Sequence, residues 1–507
     1  MTYVIGIDCG TTNIKAVLFD ETGAEILVTS RENRPIYSGT SSAEMNMNLI
    51  WDKTAHCIKD LVESGPAKKE EIMAVGITGQ GEGLWLIDRN GEPVQNAILW
   101  CDGRATEEVS YFKRSDIGQI IHTITGTPPL EGTQLMLLKW MQNNRAETLD
   151  RAAACFFCKD WIRFRLSGQI ACDWTDSGTS LLHLDQGTIA VNILQAMGLK
   201  KYLPILPVPI SSDTLCACVC EQAAAQTGLC IGTPVITGGL DVSVSALGIG
   251  AIKEHDCCVI LGTTCATEVV YRKKGCEFGE AGSRYEKHPL TDLYISLQPT
   301  MNGTPNLDWA MKEIIGTEDF SVARQLAASE PAGSRGVIYL PYISTSGERA
   351  PFHHPYASAG FFGINVQTSR ATLIRAVYEG ISFSIRDCLG NIDGRGTIYL
   401  AGGGAKDTVW AQMISDIMGM PVKIPDTKEL GAKGIALMAL VRTGVFGSYK
   451  AAVTASCKFK AEYTPDPQKK ERYDRVFGLF REIRIAHMPL WNRRRELLEY
   501  LRQTDCP

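Results

Sequence analysis

Apolar positions in this chain gather in runs of strand length, and the first run is the most informative. Ile5-Gly6-Ile7 ends at Asp8, the polar stretch Cys9-Gly10-Thr11-Thr12-Asn13 follows, and Ile14 to Phe19 is apolar again apart from Lys15. That pattern predicts a strand, a tight turn and a returning antiparallel strand. It recurs about half a chain later, where Cys257 to Leu261 leads through Gly262-Thr263-Thr264 into Cys265 to Val270. A third strand-sized run, Ile398 to Ala401, opens into Gly402-Gly403-Gly404-Ala405-Lys406 and then a helical pattern from Asp407 to Met418. Leu135 to Gln142 and Trp161 to Leu166 read as helices, and Arg89-Asn90-Gly91 between two apolar runs is a hairpin signal. Thr372 to Arg386 carries Leu373, Ile374, Val377, Ile381 and Ile385 at helical spacing, which predicts a buried inter-domain helix.

Two equivalent hairpins imply an α/β fold that is duplicated, with residues 1–246 as a first domain, 247–450 as a second and 451–507 as a helical tail. A length of 507 residues exceeds one core, and 45% hydrophobic content can fill two. A net charge of −5 argues against a nucleic-acid partner. The apolar runs are too short to span a bilayer and no basic-plus-apolar leader opens the chain, so a cytoplasmic protein without membrane contact is expected. The seventeen cysteines are scattered, and Cys155-Phe156-Phe157-Cys158 lacks a second pair to complete a zinc set. Free thiols packed as small apolar groups are therefore expected. Arg493-Arg494-Arg495 in the tail fits a solvated face or an oligomer contact, leaving a homodimer open.

Candidate chemistry sits at the turns. Backbone N–H groups around Gly10 and the hydroxyls of Thr11 and Thr12 suit phosphate oxygens, and Asp8 beside them suits hydrated Mg²⁺. One such turn also fits an ordinary hairpin with a polar tip; three nucleotide-type elements in order do not. Asp241 follows a strand and two glycines and precedes a small-residue helix, where it can cap the helix and also reach an attacking hydroxyl. Gln80 and Glu82 follow one strand, and Asp102 and Arg104 follow another. Amide, carboxylates and guanidinium together match vicinal hydroxyls, with Trp100 offering a flat apolar face. A surface Asp102–Arg104 ion pair and a core role for Trp100 are the alternatives.

With Gly79-Gln80-Gly81-Glu82-Gly83, Trp100-Cys101-Asp102-Gly103-Arg104, Gly238-Gly239-Leu240-Asp241, Gly360-Phe361-Phe362-Gly363-Ile364 and Arg375-Ala376-Val377-Tyr378-Glu379-Gly380, residues 3 to about 445 resemble the FGGY carbohydrate kinases. The resemblance implies the actin-like (ribonuclease H-like) ATPase fold, two domains flanking a catalytic cleft, with ATP and Mg²⁺. It implies Asp241 as the base; Gly10, Thr11, Thr12, Asn13, Lys15, Gly262, Thr263, Thr264, Gly402, Gly403, Gly404 and Ala405 on the nucleotide; and Asp8 on the metal. The same resemblance puts Gln80, Gly81, Glu82, Trp100, Asp102, Arg104 and Asp241 around a small sugar or polyol. Gly81-Glu82 stands where D-xylulose kinases carry Met-His, so the implied acceptor is a ketopentose such as L-xylulose, with erythritol and D-xylulose as alternatives. An actin-like ATPase or nucleotide-sensing module without an acceptor is the reading from another class, and the Asp241 and Gln80/Glu82 machinery argues against it.

Overall fold

The computed structural model describes residues 1–39, 41–272, 284–390, 392 and 395–504. Its frame is two seven-stranded sheets. The first contains β1 (Tyr3–Cys9), β2 (Asn13–Asp20), β3 (Glu25–Glu32), β4 (Ile72–Gly79), β5 (Leu215–Cys218), β6 (Pro234–Ile236) and β7 (Gly239–Leu240). Strand order is β5-β6-β4-β1-β2-β3, with β7 also paired to β4. The second contains β8 (Cys257–Leu261), β9 (Cys265–Tyr271), β10 (Arg284–Lys287), β11 (Tyr294–Thr300), β12 (Ile398–Ala401), β13 (Val422–Pro425) and β14 (Phe459–Tyr463), in the order β10-β11-β9-β8-β12-β13-β14.

The duplication is visible in the pairing. β1 runs antiparallel to β2 and parallel to β4, as β8 runs antiparallel to β9 and parallel to β12. Both hairpins therefore lie where the alternation of apolar runs and Gly-Thr-Thr turns puts them. Strands such as β1 are apolar on both faces because helices cover both.

Helices α1 (Met47–Ser64) and α2 (Cys158–Ser167) close one face of the first sheet through Ile50, Trp51, Ile58, Trp161 and Ile162. On the other face lie α3 (Asp241–Ile249) and, from much later in the chain, α6 (Leu430–Arg442); between them in sequence come α4 (Arg370–Leu389) and α5 (Thr408–Met418). Helix α6 packs Ala432, Ile435 and Ala436 against Val4, Val17 and Ala74. A side chain on Gly76 would run into Ile435, which is why this strand carries glycine there.

Helix α3 serves both cores. Val244 and Leu247 pack with α6 and the first sheet, while Ala246 and Ile249 pack with Cys258, Val270 and Ile295 of the second. The sequence pattern assigns that inter-domain role to residues 372–386, and the structure corrects it. Helix α4 is buried, but its Ile374, Val377, Ile381 and Ile385 lie inside the second core with Val259 and Leu400. Periodicity reports that a helix is covered, not by what.

The last segment is not separate from the second sheet. Residues 459–463 form β14, antiparallel to β13, and α7 (Pro467–Thr504) buries Tyr473, Phe480 and Trp491 on the second core. Arg375 Nη2 donates to the Tyr473 hydroxyl at 2.6 Å and its Nε donates to Glu379 Oε1 at 2.8 Å. The Arg375–Glu379 pair of the signature segment thus fastens α7 to α4. Among the described residues, no helix is long and apolar enough to cross a membrane.

Candidate active site

Strand register assembles the site. Cys9 aligns with Gly79 across the parallel β1–β4 pair, and Gly79 aligns with Leu240 across β4–β7. Gly10, Gln80 and Asp241 are the next residues of three chains that all point the same way. They emerge side by side at the carboxyl ends of adjacent strands, the usual location of a ligand crevice in such sheets. The short strand β7 is held there by the Thr78 hydroxyl donating to Gly239 O at 2.7 Å and by Leu240 N donating to Thr175 Oγ1 at 2.8 Å.

At the first turn, Gly10 N donates to Asn13 O at 3.0 Å, and buried Asn33 pins the loop by donating through Nδ2 to Gly10 O at 3.1 Å. Thr12 and Asn13 stay exposed at the tip. Lys15, opposite Asp8 in the β1–β2 ladder, is paired with Glu429 ahead of α6 at 2.7 Å. Burial pushes the Asp8 carboxyl up to about 6; Lys15 opposes that and Glu429 reinforces it.

The second turn closes through Gly262 N donating to Thr264 O at 2.9 Å, leaving Thr263 and Thr264 exposed. The third element lies against it, because Gly402, with a left-handed φ of 90°, crosses the backbone of Leu261 so closely that any Cβ would collide. Gly403 is open and Ala405 is buried. Helix α5 does not start at the glycines: a 3-10 turn, Gly404–Lys406, intervenes, and Asp407 caps the helix by accepting from Val409 N and Trp410 N. The glycines, and not the free amides of the helix, are what this element presents.

On the acceptor side, Gln80 is buried and its Oε1 accepts from the Thr11 hydroxyl at 3.0 Å. The same hydroxyl accepts from Trp100 Nε1 at 3.1 Å. Trp100 is 44% exposed, so the core alternative for it does not hold. Gly81 is required by space: a Cβ there would overlap Leu240 and approach Asp176 Oδ1 at 3.1 Å. Glu82 is buried in the left-handed region, φ 57°, and accepts from Arg284 Nη1 of β10 at 2.8 Å.

Asp102 and Arg104 face each other. Asp102 accepts from Ala43 N at 2.7 Å, and from Arg104 N, Nε and Nη2 at 2.9, 2.8 and 2.8 Å. Arg104 also reaches Glu44 and lies over Trp140. These partners saturate the Asp102 carboxylate, so the pair braces the segment behind Trp100; it is buried, not the surface ion pair of the sequence alternative.

Asp241 opens α3 with its Oδ1 accepting from Val242 N at 2.8 Å. It is the first residue inside the helix, and Leu240 holds the cap position. Burial pushes its carboxyl up to about 7, with Asp8 and Glu82 adding to the rise. One carboxylate therefore feels both the phosphate turn and the acceptor segment.

Sequence reasoning missed four neighbours: Asn33, Glu429, Arg284 and Glu286. Each lies far from the motifs in sequence and arrives by tertiary packing. Cys155 and Cys158 belong to different cores, and no cluster of three potential metal ligands occurs among the described residues.

Residues 3–248 match the FGGY family of carbohydrate kinases, N-terminal domain, and residues 296–443 match its C-terminal domain. The chain belongs to the FGGY family of carbohydrate kinases. It is 28% identical to an erythritol kinase of Brucella abortus, with 97% of each chain covered. It is 30% identical to a probable L-xylulose kinase of Haemophilus influenzae over 87% of this chain and 90% of the relative. A ligand-bound xylulose kinase from Lactobacillus acidophilus superposes with a TM-score of 0.89 at 26% identity, over 97% of this chain and all of that one. The FGGY chain is accordingly a phosphotransferase with ATP as donor and a sugar-type hydroxyl as acceptor, on the actin-like two-domain fold. The reading as an ATPase without an acceptor is thereby set aside.

Proposed function

We propose that this kinase phosphorylates a small ketose or polyol, with a ketopentose such as L-xylulose as the best-fitting acceptor. The observation that carries the reading is the position of Asp241 just past the end of β7, beside Gly10 and Gln80 at the ends of β1 and β4. An acceptor hydroxyl at Asp241 then faces the phosphate turns, while the rest of the sugar lies along Gln80, Gly81, Glu82 and Trp100. Asp241 takes the hydroxyl proton as the acceptor oxygen bonds to the γ-phosphorus and the bond from that phosphorus to the bridging oxygen breaks, releasing ADP. Gly10, Thr11, Thr12 and Gly262, Thr263, Thr264 offer donors to the phosphates from both halves, and Gly402 to Ala405 give the adenosine a flat backbone surface.

Mg²⁺ fits this reading. Asp8 is a buried carboxyl at the Gly10 turn, Lys15 beside it is already engaged by Glu429, and its charge raises Asp241, so a divalent cation would favour the ionised form of both aspartates. Asp8 would hold it through metal-bound water, and the ion, arriving with ATP, would neutralise the phosphate charge. Asp102 and Arg104 frame the acceptor space through their mutual pairing.

Glu82 supports the choice of acceptor. A carboxylate accepts from two hydroxyls, whereas the neutral His of D-xylulose kinases offers one donor and one acceptor, so a different hydroxyl pattern is matched. Erythritol is the second reading, favoured by the Brucella relative.

Coupled ADP-release kinetics over L-xylulose, D-xylulose, L-ribulose and erythritol test this. L-xylulose or erythritol is expected to exceed D-xylulose in kcat/KM by about tenfold or more, about 1.4 kcal/mol. Glu82→His is expected to narrow the gap. D-xylulose as the best acceptor would overturn the acceptor assignment.

A further inference from the structure

Arg284 lies on β10, an edge strand of the second sheet, yet its guanidinium bonds Glu82 of the first domain's acceptor segment. The pair is largely shielded, with side-chain exposures of 17% and 9%. Two residues along the same strand, and therefore on the same face, is Glu286, 1% exposed with Oε2 lacking a hydrogen-bond partner. Glu268 of β9 aligns with Leu297 of β11, as Arg284 does, so it lies in the same cross-strand row. It is fully buried and neither of its carboxyl oxygens has a hydrogen-bond partner.

Asp241 contributes to the shifts of Glu286 and Glu268. Burial, Glu82 and Asp241 push Glu286 up to about 8, with Arg284 opposing. Burial, Glu286 and Asp241 push Glu268 well up. This end of the second sheet thus carries Arg284 bonded to Glu82, with the buried carboxyl groups of Glu286 and Glu268 on the same face.

Resting on the acceptor site proposed above, we propose that Arg284 is a specificity-determining residue which the second domain contributes across the cleft, and that with Glu82 it selects an uncharged polyhydroxy acceptor and rejects sugar acids. An arginine in a sugar pocket ordinarily invites a carboxylate. Here Glu82 already occupies it. Glu286 and Glu268 are raised enough to be protonated near neutral pH, so an acidic acceptor is opposed chiefly because it would have to displace Glu82 from Arg284 and leave that buried carboxylate without its partner. A hydroxyl can instead donate to Glu82 while its neighbour accepts from Arg284, so a neutral diol satisfies both ends of the pair. Because the two residues come from different domains, holding the acceptor and holding the cleft closed are coupled.

The test compares a neutral acceptor, L-xylulose or erythritol, with an aldonate of matching carbon number. Calorimetric binding and steady-state kinetics are run on the wild-type chain, Arg284→Gln, Arg284→Lys and Glu82→Gln. In the wild type the neutral compound is expected to bind at least a hundredfold more tightly. Arg284→Gln is expected to raise the neutral acceptor's KM at least tenfold while the KM for ATP moves less than threefold, with Arg284→Lys in between. Glu82→Gln is expected to narrow the preference against the aldonate at least tenfold. Aldonate binding as tight as that of the neutral acceptor overturns the proposal, as does an Arg284→Gln effect shared equally by ATP and acceptor. Calorimetry ranks the two acceptor classes without turnover. Absent phosphorylation of L-xylulose and erythritol, which counts against the function proposed above, therefore leaves this ranking readable.

Discussion

Trp100 and Thr11, 89 residues apart, are joined by a hydrogen bond from the indole Nε1 to the threonine hydroxyl at 3.1 Å. Thr11 passes the connection on by donating to Gln80 Oε1 at 3.0 Å. A residue of the first Gly-Thr-Thr turn is thereby tied to two residues of the proposed acceptor space.

Trp100→Phe keeps an aromatic face but removes the donor, so it isolates that link. A net hydrogen bond contributes about 0.5–1.5 kcal/mol, and Thr11 stays accessible to water. The acceptor KM is expected to rise about two- to tenfold, with the melting temperature essentially unchanged. An unchanged acceptor KM would show that only the ring face matters.

Asp241→Asn preserves shape and cannot accept a proton. Turnover is expected to fall on the order of a hundred- to ten-thousandfold with ATP binding retained. The carboxyl of Asp241 is raised to about 7, so below that pH it is protonated and cannot act as base. The wild-type kcat/KM should therefore rise with pH through an acid limb near neutrality and level off above it. The residual activity of Asp241→Asn should lack that limb. Retention of more than about a tenth of wild-type kcat would refute the base assignment.

Asp8→Ala is expected to weaken Mg²⁺–ATP far more than the acceptor, at least about tenfold in Kd against less than about threefold, if Asp8 serves the metal and phosphates as proposed. Calorimetry of each ligand separately measures this. Equal losses for both would point to damage to β1.

Cleft closure is the fourth expectation. Helix α3 touches both cores through neighbouring residues, and the Arg284–Glu82 and Lys15–Glu429 pairs join the two halves of the sequence. On the proposed reading phosphate donors come from both halves, so a productive complex needs them together, and enclosing the site limits attack by water. Small-angle scattering should show a smaller radius of gyration with acceptor and a non-hydrolysable ATP analogue added together. A radius unchanged within error would argue against a hinged cleft.

Much of this was legible before any coordinates. Apolar runs of strand length broken by Gly-Thr-Thr located β1–β2 and β8–β9, because a glycine-containing turn between two such runs has few other solutions. The Ile398-to-Met418 pattern gave β12 and α5, and the run from Gly238 to Leu247 placed Asp241 between a strand and a helix. The helix over 372–386 was legible as buried, but its partners were not. The sequence reads as a helical tail, whereas β14 is a strand of the second sheet; five residues alternating in burial carry too little signal beside a long amphipathic helix.

By itself the sequence determined which local turns could hold phosphate and which carboxylates were candidates for chemistry, because those properties depend on residues a few positions apart. Tertiary structure decided which candidates meet. The row Cys9–Gly79–Leu240 brings Gly10, Gln80 and Asp241 together, and register between strands so distant in the chain is set by packing of both sheet faces. The same packing turned Asp102 inward to Arg104 and Ala43, and brought Arg284 across the cleft to Glu82. Charge pairing of that kind has no periodicity and no fixed spacing, so only the folded chain could reveal it.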